Sequence, residues 1–181
     1  LFPTHLLVGV GLSRLADRPR VGRLLGRLSR SATGETPVTA STLPMGWAVA
    51  GAALPDVVDK PLGVLGVFDV YQSIGHAALL APLAVLVAAS HRRGLALAVG
   101  WASHLTLDAF HVALNGRASD ALFLAWPVVE RPDPLAYPPG EFALFYAGSP
   151  SFYVEVLLWL AAAVVVARSR FGVGTDRKSG R

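Results

Sequence analysis

The chain has 181 residues, of which 53% are hydrophobic and only 15% charged, and its net charge is +4 at pH 7. Mean hydropathy is +0.50, too apolar for an ordinary soluble domain and in keeping with a polytopic membrane protein. Cysteine is missing altogether, which excludes disulfides, thiolate metal sites and cysteine nucleophiles; any metal must be held by His, Asp and Glu.

Residues 1–15 read as a short apolar helix with Pro3 near its start, Thr4 as N-cap and His5 in the first turn. His5 interrupts the run and no small-residue cleavage site follows, so no removable signal peptide is expected. Residues 14–30 carry six arginines interleaved with Val21, Leu24, Leu25 and Leu28, a weakly amphipathic pattern suited to a lipid surface. Aromatic residues are missing from that segment, which argues against nucleic acid as a partner. A polar loop follows over residues 31–42. A second apolar helix, residues 43–54, is expected to stop at Pro55-Asp56-Val57-Val58-Asp59-Lys60-Pro61, where prolines close it and open an extended turn.

Residues 62–70 form a brief apolar run broken by glycines. Residues 74–90 and 94–114 each approach the roughly 20 residues needed to cross the hydrocarbon of a bilayer. Only His91-Arg92-Arg93 separates them, so they are expected to pair as an antiparallel hairpin with His91 at the interface. Residues 121–129 are short and contain Trp126-Pro127. Residues 130–151 read as an ordered loop that includes Glu141, residues 152–167 as the last apolar helix, and residues 168–181 as a basic disordered tail. The expected fold is all-α, a polytopic membrane bundle of about four to five membrane-associated helices, with one domain over residues 1–167. Lys and Arg favour the cytoplasmic side. Placing segments 14–30, 92–93 and 168–181 there leaves only Lys60, Arg117 and Arg131 outside. The chain is thus expected to be multi-pass in the inner, cytoplasmic membrane.

The stretch Gly100–Asn115 holds the chemistry. His104 and Asp108 stand four residues apart and His111 three further on, so all three share one helical face among apolar neighbours. A buried imidazole and carboxylate need a partner; a metal ion suits both, and a plain His–Asp hydrogen bond is the alternative. A hairpin turning at Arg92–Arg93 sets His76 opposite position 109. The same topology brings His5, Asp56, Asp59 and Glu155 to that end of the bundle, near the non-cytoplasmic face. Taken singly, His76 reads equally as a packing residue, His5 as an exposed one, and Pro55-Asp56 as turn chemistry. Glu155, inside an apolar helix, is either functional or snorkelling toward the helix end.

The order His5, Pro55-Asp56-x-x-Asp59, His76, Ser103-His104-x-x-x-Asp108 and Trp126-Pro127 resembles the YdjM-like membrane-bound metal-dependent hydrolases. That family consists of inner-membrane proteins distantly similar to zinc phospholipase C and the single-strand-specific zinc nucleases. The resemblance spans residues 4–127. It departs at residues 72–77, which read Gln-Ser-Ile-Gly-His-Ala where the family often has Arg-x-x-Thr-His-Ser. The resemblance implies a metal-dependent hydrolase of phosphoesters, lipid phosphoesters among them, working at a membrane. The expected metal ligands are His5, Asp56, His76, His104 and Asp108, with His111 and Glu155 as further candidates and Asp59 as general base. A divalent cation is expected, zinc ahead of manganese or iron. The expected partners are membrane lipids and the substrate. The rival expectation is a non-enzymatic membrane protein in which these residues form a structural metal site or an ion or proton path. A third is a lipid-surface protein acting through residues 14–30.

Overall fold

The computed structural model describes residues 2–18, 21, 43–129, 137 and 139–171. Most of the basic segment 14–30, the polar loop 31–42 and the tail beyond residue 171 lie outside the described residues. Those described form an all-helical fold without strands: α1 (Phe2–Ala16), α2 (Met45–Val64), a 3-10 turn (Ala78–Leu80), α3 (Ala81–Ser90), α4 (Arg92–Leu114), a second 3-10 segment (Ala118–Ala125), α5 (Pro139–Tyr146) and α6 (Pro150–Phe171).

The centre of the fold is the crossing of α2 over α4, with α1 packed on both and α3 folded back on α4. Small residues make that crossing close, as at membrane helix interfaces. Ala48, Ala52 and Ala96 are fully buried. A Cβ at Gly51 would lie 2.0 Å from the Leu97 carbonyl oxygen, and one at Gly100 would lie 2.1 Å from that of Ala48. At these two positions glycine is required by the neighbouring backbone. Gly94 does the same for the hairpin, where a Cβ would meet the Val87 carbonyl at 2.0 Å. His91, read from sequence as an interfacial residue, caps α4: its Nδ1 accepts the Gly94 N–H at 2.7 Å.

Several boundaries differ from the sequence reading. α2 runs straight through Pro55 and Pro61 instead of ending before them, so Asp56 and Asp59 belong to a helix. The helix expected over residues 74–90 begins only at the 3-10 turn, which leaves His76 in the irregular segment after α2. Thr4 lies within α1, not at its cap, and its hydroxyl donates to Glu155 on α6. α5 occupies part of the expected 130–151 loop, and α6 continues past residue 167 to Phe171.

Among the described residues, one helix is long and apolar enough to cross a membrane, over Pro150–Arg168, and little of it is buried. α3 is a shorter apolar helix that exposes Leu83, Val85 and Leu86. The multi-pass bundle expected from sequence does not find support in these helix lengths. α4 has the length, but its buried face carries His104, Asp108 and His111 and its first two residues are arginines. The apolar stretch 74–90 owed its apparent length to residues that form a loop.

The crossing yields a direct test. Gly100→Ala drives a methyl against the Ala48 carbonyl and should destabilise the fold by about 1–3 kcal/mol, as overpacking does. Gly46→Ala, with nothing within 4 Å of its new Cβ, should leave thermal unfolding in mild detergent nearly unchanged. Equal melting temperatures for the two variants would contradict the close crossing.

Candidate metal centre

Four segments deliver the site: α1 brings His5, α2 brings Asp56 and Asp59, the segment before α3 brings His76, and α4 brings His104 and Asp108. All six are buried. Their arrangement starts with Asp59. Its Oδ2 accepts the backbone N–H groups of Ser73 at 2.7 Å and His76 at 3.1 Å, and its Oδ1 accepts that of Gly75 at 2.8 Å. Oδ2 also takes His76 Nδ1 at 2.7 Å. Glycine at 75 allows the approach, since a Cβ there would stand 2.8 Å from the Pro55 Cα. The loop is pinned from the other side by Trp101, whose Nε1 donates to the Gly75 carbonyl at 2.9 Å.

With Nδ1 committed to Asp59, His76 turns Nε2 inward. His104 is set the same way: its Nδ1 donates to the Ala52 carbonyl at 2.7 Å, leaving Nε2 as a lone pair. The two Nε2 atoms stand 3.1 Å apart. Asp108 Oδ2 lies 3.3 Å from His76 Nε2 and 3.5 Å from His104 Nε2, and Asp56 Oδ1 lies 3.7 and 4.0 Å from them. His5 stacks its ring on that of His104 with centroids 4.0 Å apart, and its Nε2 is 3.1 Å from Asp108 Oδ1. The potential ligand atoms of His5, His104 and Asp108 fall within 4.8 Å of one another, as do those of Asp56, His76 and His104. This is a donor set of imidazole nitrogens and carboxylate oxygens with the remote ring nitrogens already held, the usual surroundings of a histidine-bound divalent ion. Two overlapping groups of side chains that share His104 could each hold a metal ion.

The carboxylates of Asp108 and Asp56 face the two imidazoles, and positive charge there, a proton or a metal ion, offsets theirs. Burial works against a charged His76, but hydrogen bonds to Asp108 and Asp59 and the charges of both outweigh it and raise its pKa from 6.5 to about 9. Its extra proton, on Nε2, faces the lone pair of His104.

The remaining sequence candidates have other surroundings. Asp59 was expected to be a general base; both its oxygens are occupied and it is fully buried, so it positions His76 instead. Glu155 accepts from Thr4 and, at 2.5 Å, from the Tyr146 hydroxyl, which ties α6 to α1 and α5 and keeps it out of the cluster. His111 is buried one turn beyond Asp108. Its ring packs 5.2 Å from that of Tyr146, and it belongs to neither group of metal-capable side chains among the described residues. Sequence reasoning missed Gln72, whose Nε2 donates to Asp108 Oδ2 at 3.0 Å. It also missed Trp101, although an indole N–H in an apolar helix must find an acceptor.

A cavity of about 700 Å³ opens beside the cluster. Asp56 and Asp108 form part of its wall, Val57, Val64, Val112 and Phe142 much of the rest, and Lys60 and Arg117 contribute positive charge. Lys60 Nζ lies 2.8 Å from Asp56 Oδ1, and Arg117 is held by Asp120 at 2.5–2.6 Å. Compared with known protein families, characterised proteins and solved structures, the chain matches none.

The raised pKa of His76 has a measurable sign. An unfolded imidazole titrates near 6.5, so the charged form stabilises the metal-free fold fully below pH 6.5, and that contribution is lost as pH rises through about 9. A divalent cation held by His76 and His104 would take the place of that proton. Chelator-treated protein should therefore melt at progressively lower temperature from pH 6.5 to 9, while zinc-saturated protein should not. A flat profile for the chelated protein would contradict the assignment.

Proposed function

We propose that the chain is a membrane-bound, metal-dependent hydrolase of phosphoesters, as its motif order suggests, with zinc as its ion. The observation that carries this reading is the convergence of His76 and His104, each locked through Nδ1, with Asp56, Asp108 and His5 in two groups that share His104, beside a large cavity. When bound, a divalent ion supplies Lewis-acid polarisation of a substrate oxygen and activation of water near neutral pH. The protein's part is geometric and electrostatic. Asp59 and the Ala52 carbonyl fix the tautomers of His76 and His104, so neither ring needs to reorient when the ion arrives. Asp56 and Asp108 reach both the cluster and the cavity, so a substrate in the cavity lies against the cation-holding groups. Lys60 and Arg117 are the basic groups of that wall, ion-paired to Asp56 and Asp120. The apolar remainder excludes water and favours an amphiphilic substrate.

The membrane assignment rests on α6, whose apolar flank is exposed along its length. We place α6 across the bilayer and the rest of the bundle against it, with the exposed leucines and valines of α3 in contact with lipid. Of the rival readings, the structural metal site is disfavoured by the cavity, since a structural site is closed on all sides.

His104 is the residue common to both ligand groups. In mild detergent, His104→Ala should lose bound zinc by elemental analysis and lower hydrolysis of bis(p-nitrophenyl) phosphate at least a hundredfold. His91→Asn, which keeps an N-cap away from the site, should retain both. Full zinc occupancy in folded His104→Ala would refute the centre, and zinc without any phosphoester hydrolysis in the unaltered protein would refute the activity alone.

A further inference from the structure

The cavity beside the metal cluster is graded from its floor to its opening. Asp56 and Asp108, which face the imidazoles of the cluster, are 8% and 6% exposed. Val57 and Val64 line the same cavity yet are 61% and 63% exposed, and Tyr137 is 40% exposed. The acidic wall is therefore deep and the opening apolar. Val57, Lys60 and Val64 fall three and four residues apart, on one stripe of α2. Lys60 turns its ammonium to Asp56, so the charge on that stripe is engaged from within. Apolar surface continues along the chain from the opening. Leu65 and Val67 beyond α2, and Leu144 and Phe145 on α5, are each more than half exposed. Exposed apolar surface around a polar recess marks an interaction site.

The level of the opening relative to α6 names the partner. Tyr146 walls the cavity and donates its hydroxyl to Glu155 Oε2 at 2.5 Å. The apolar segment of α6 starts at Pro150, so Glu155 lies about 7.5 Å along it. That segment has 19 residues, and its length of about 28 Å matches the hydrocarbon thickness of a bilayer. With α6 across the membrane, the cavity wall stands near the boundary between headgroups and acyl chains. Tyr137 and Tyr146 suit that level, where amphipathic rings gather. Resting on the reading of the chain as a membrane-bound, metal-dependent phosphoester hydrolase, we propose that the cavity opens into the lipid phase and takes a phospholipid from it. The phosphate lies against the wall of Asp56 and Asp108, and the acyl chains pass out over Val57 and Val64 into the bilayer. A water-soluble phosphoester has no need of an apolar opening, whereas the chains of a lipid must stay out of water on the way to the site.

The chain has no cysteine, so a single one can be placed at the opening. Zinc-loaded protein carrying Val64→Cys or Leu144→Cys, labelled with a fluorophore, is reconstituted in phosphatidylcholine vesicles. Phosphatidylcholine bearing a nitroxide on its acyl chain should quench both labels, and absence of that quenching at either position would overturn the proposal. In detergent micelles, kcat/KM for hexadecyl p-nitrophenyl phosphate should exceed that for methyl p-nitrophenyl phosphate on the order of a hundredfold, the worth of roughly four buried methylenes. Val64→Glu should narrow that preference about tenfold at unchanged zinc stoichiometry, as the loss of one apolar contact would. Equal kcat/KM for the two esters, or a preference that Val64→Glu leaves intact, would also overturn it. Hydrolysis of neither ester by the zinc-loaded protein would instead sink the hydrolase reading beneath it, with nitroxide quenching still reporting whether the opening meets lipid.

Discussion

The carboxylate of Asp59 is the constraint on which the site depends. A buried charge is tolerated only when its lone pairs are satisfied, and Asp59 meets that demand with the N–H groups of Ser73, Gly75 and His76 and one ring nitrogen. The consequence runs outward. The segment 73–76, which belongs to no helix, is fastened to α2; His76 is held in one tautomer and one orientation; its Nε2 is delivered to His104. Trp101 closes the loop against α4 from the opposite side, so the loop is held between the two helices that carry the other ligands.

The second requirement is that those helices come close enough. Packed helices ordinarily sit 8–10 Å apart, and the glycines and alanines at the α2–α4 crossing bring the backbones near enough for a side chain of one to bond the backbone of the other. His104 Nδ1 reaching the Ala52 carbonyl is the instance that matters: the crossing is both the core of the fold and part of the site. Little large apolar surface is buried there. Bulky residues are instead widely exposed on α3 and α6, and α6 is long and apolar enough to cross a membrane.

Much of the site was legible in the sequence, and for a physical reason. His104 and Asp108 occupy one helical face by their spacing alone, and ionisable residues in an apolar chain have few places to go. The helical class followed from composition, and the tight turn at His91-Arg92-Arg93 did produce the α3–α4 hairpin. What was not legible came from tertiary override of local rules. Pro55 and Pro61 are helix breakers by propensity, yet α2 carries both, and this changes Asp59 from a loop carboxylate free to act on water into a helical one that organises a neighbouring loop. The run 74–90 is apolar but for His76 and Ser90, so it read as a long span, although Gly75 and Pro82 are residues at which a helix can begin late. Gln72 and the Ala52 carbonyl gave no signal, because their roles depend on which backbone passes beside them. Glu155 is open between a functional and a snorkelling reading in the sequence, and only the tertiary fold reveals Thr4 and Tyr146 as partners.

The central claim is that one cation lies between His76 and His104. Anomalous diffraction at the zinc edge from crystals of the zinc-loaded protein measures this most directly. The account predicts a peak about 2.0–2.1 Å from Nε2 of both rings, with Asp56 or Asp108 completing the shell. A zinc peak elsewhere in the molecule, with the two Nε2 atoms still 3.1 Å apart and sharing a proton, would contradict it.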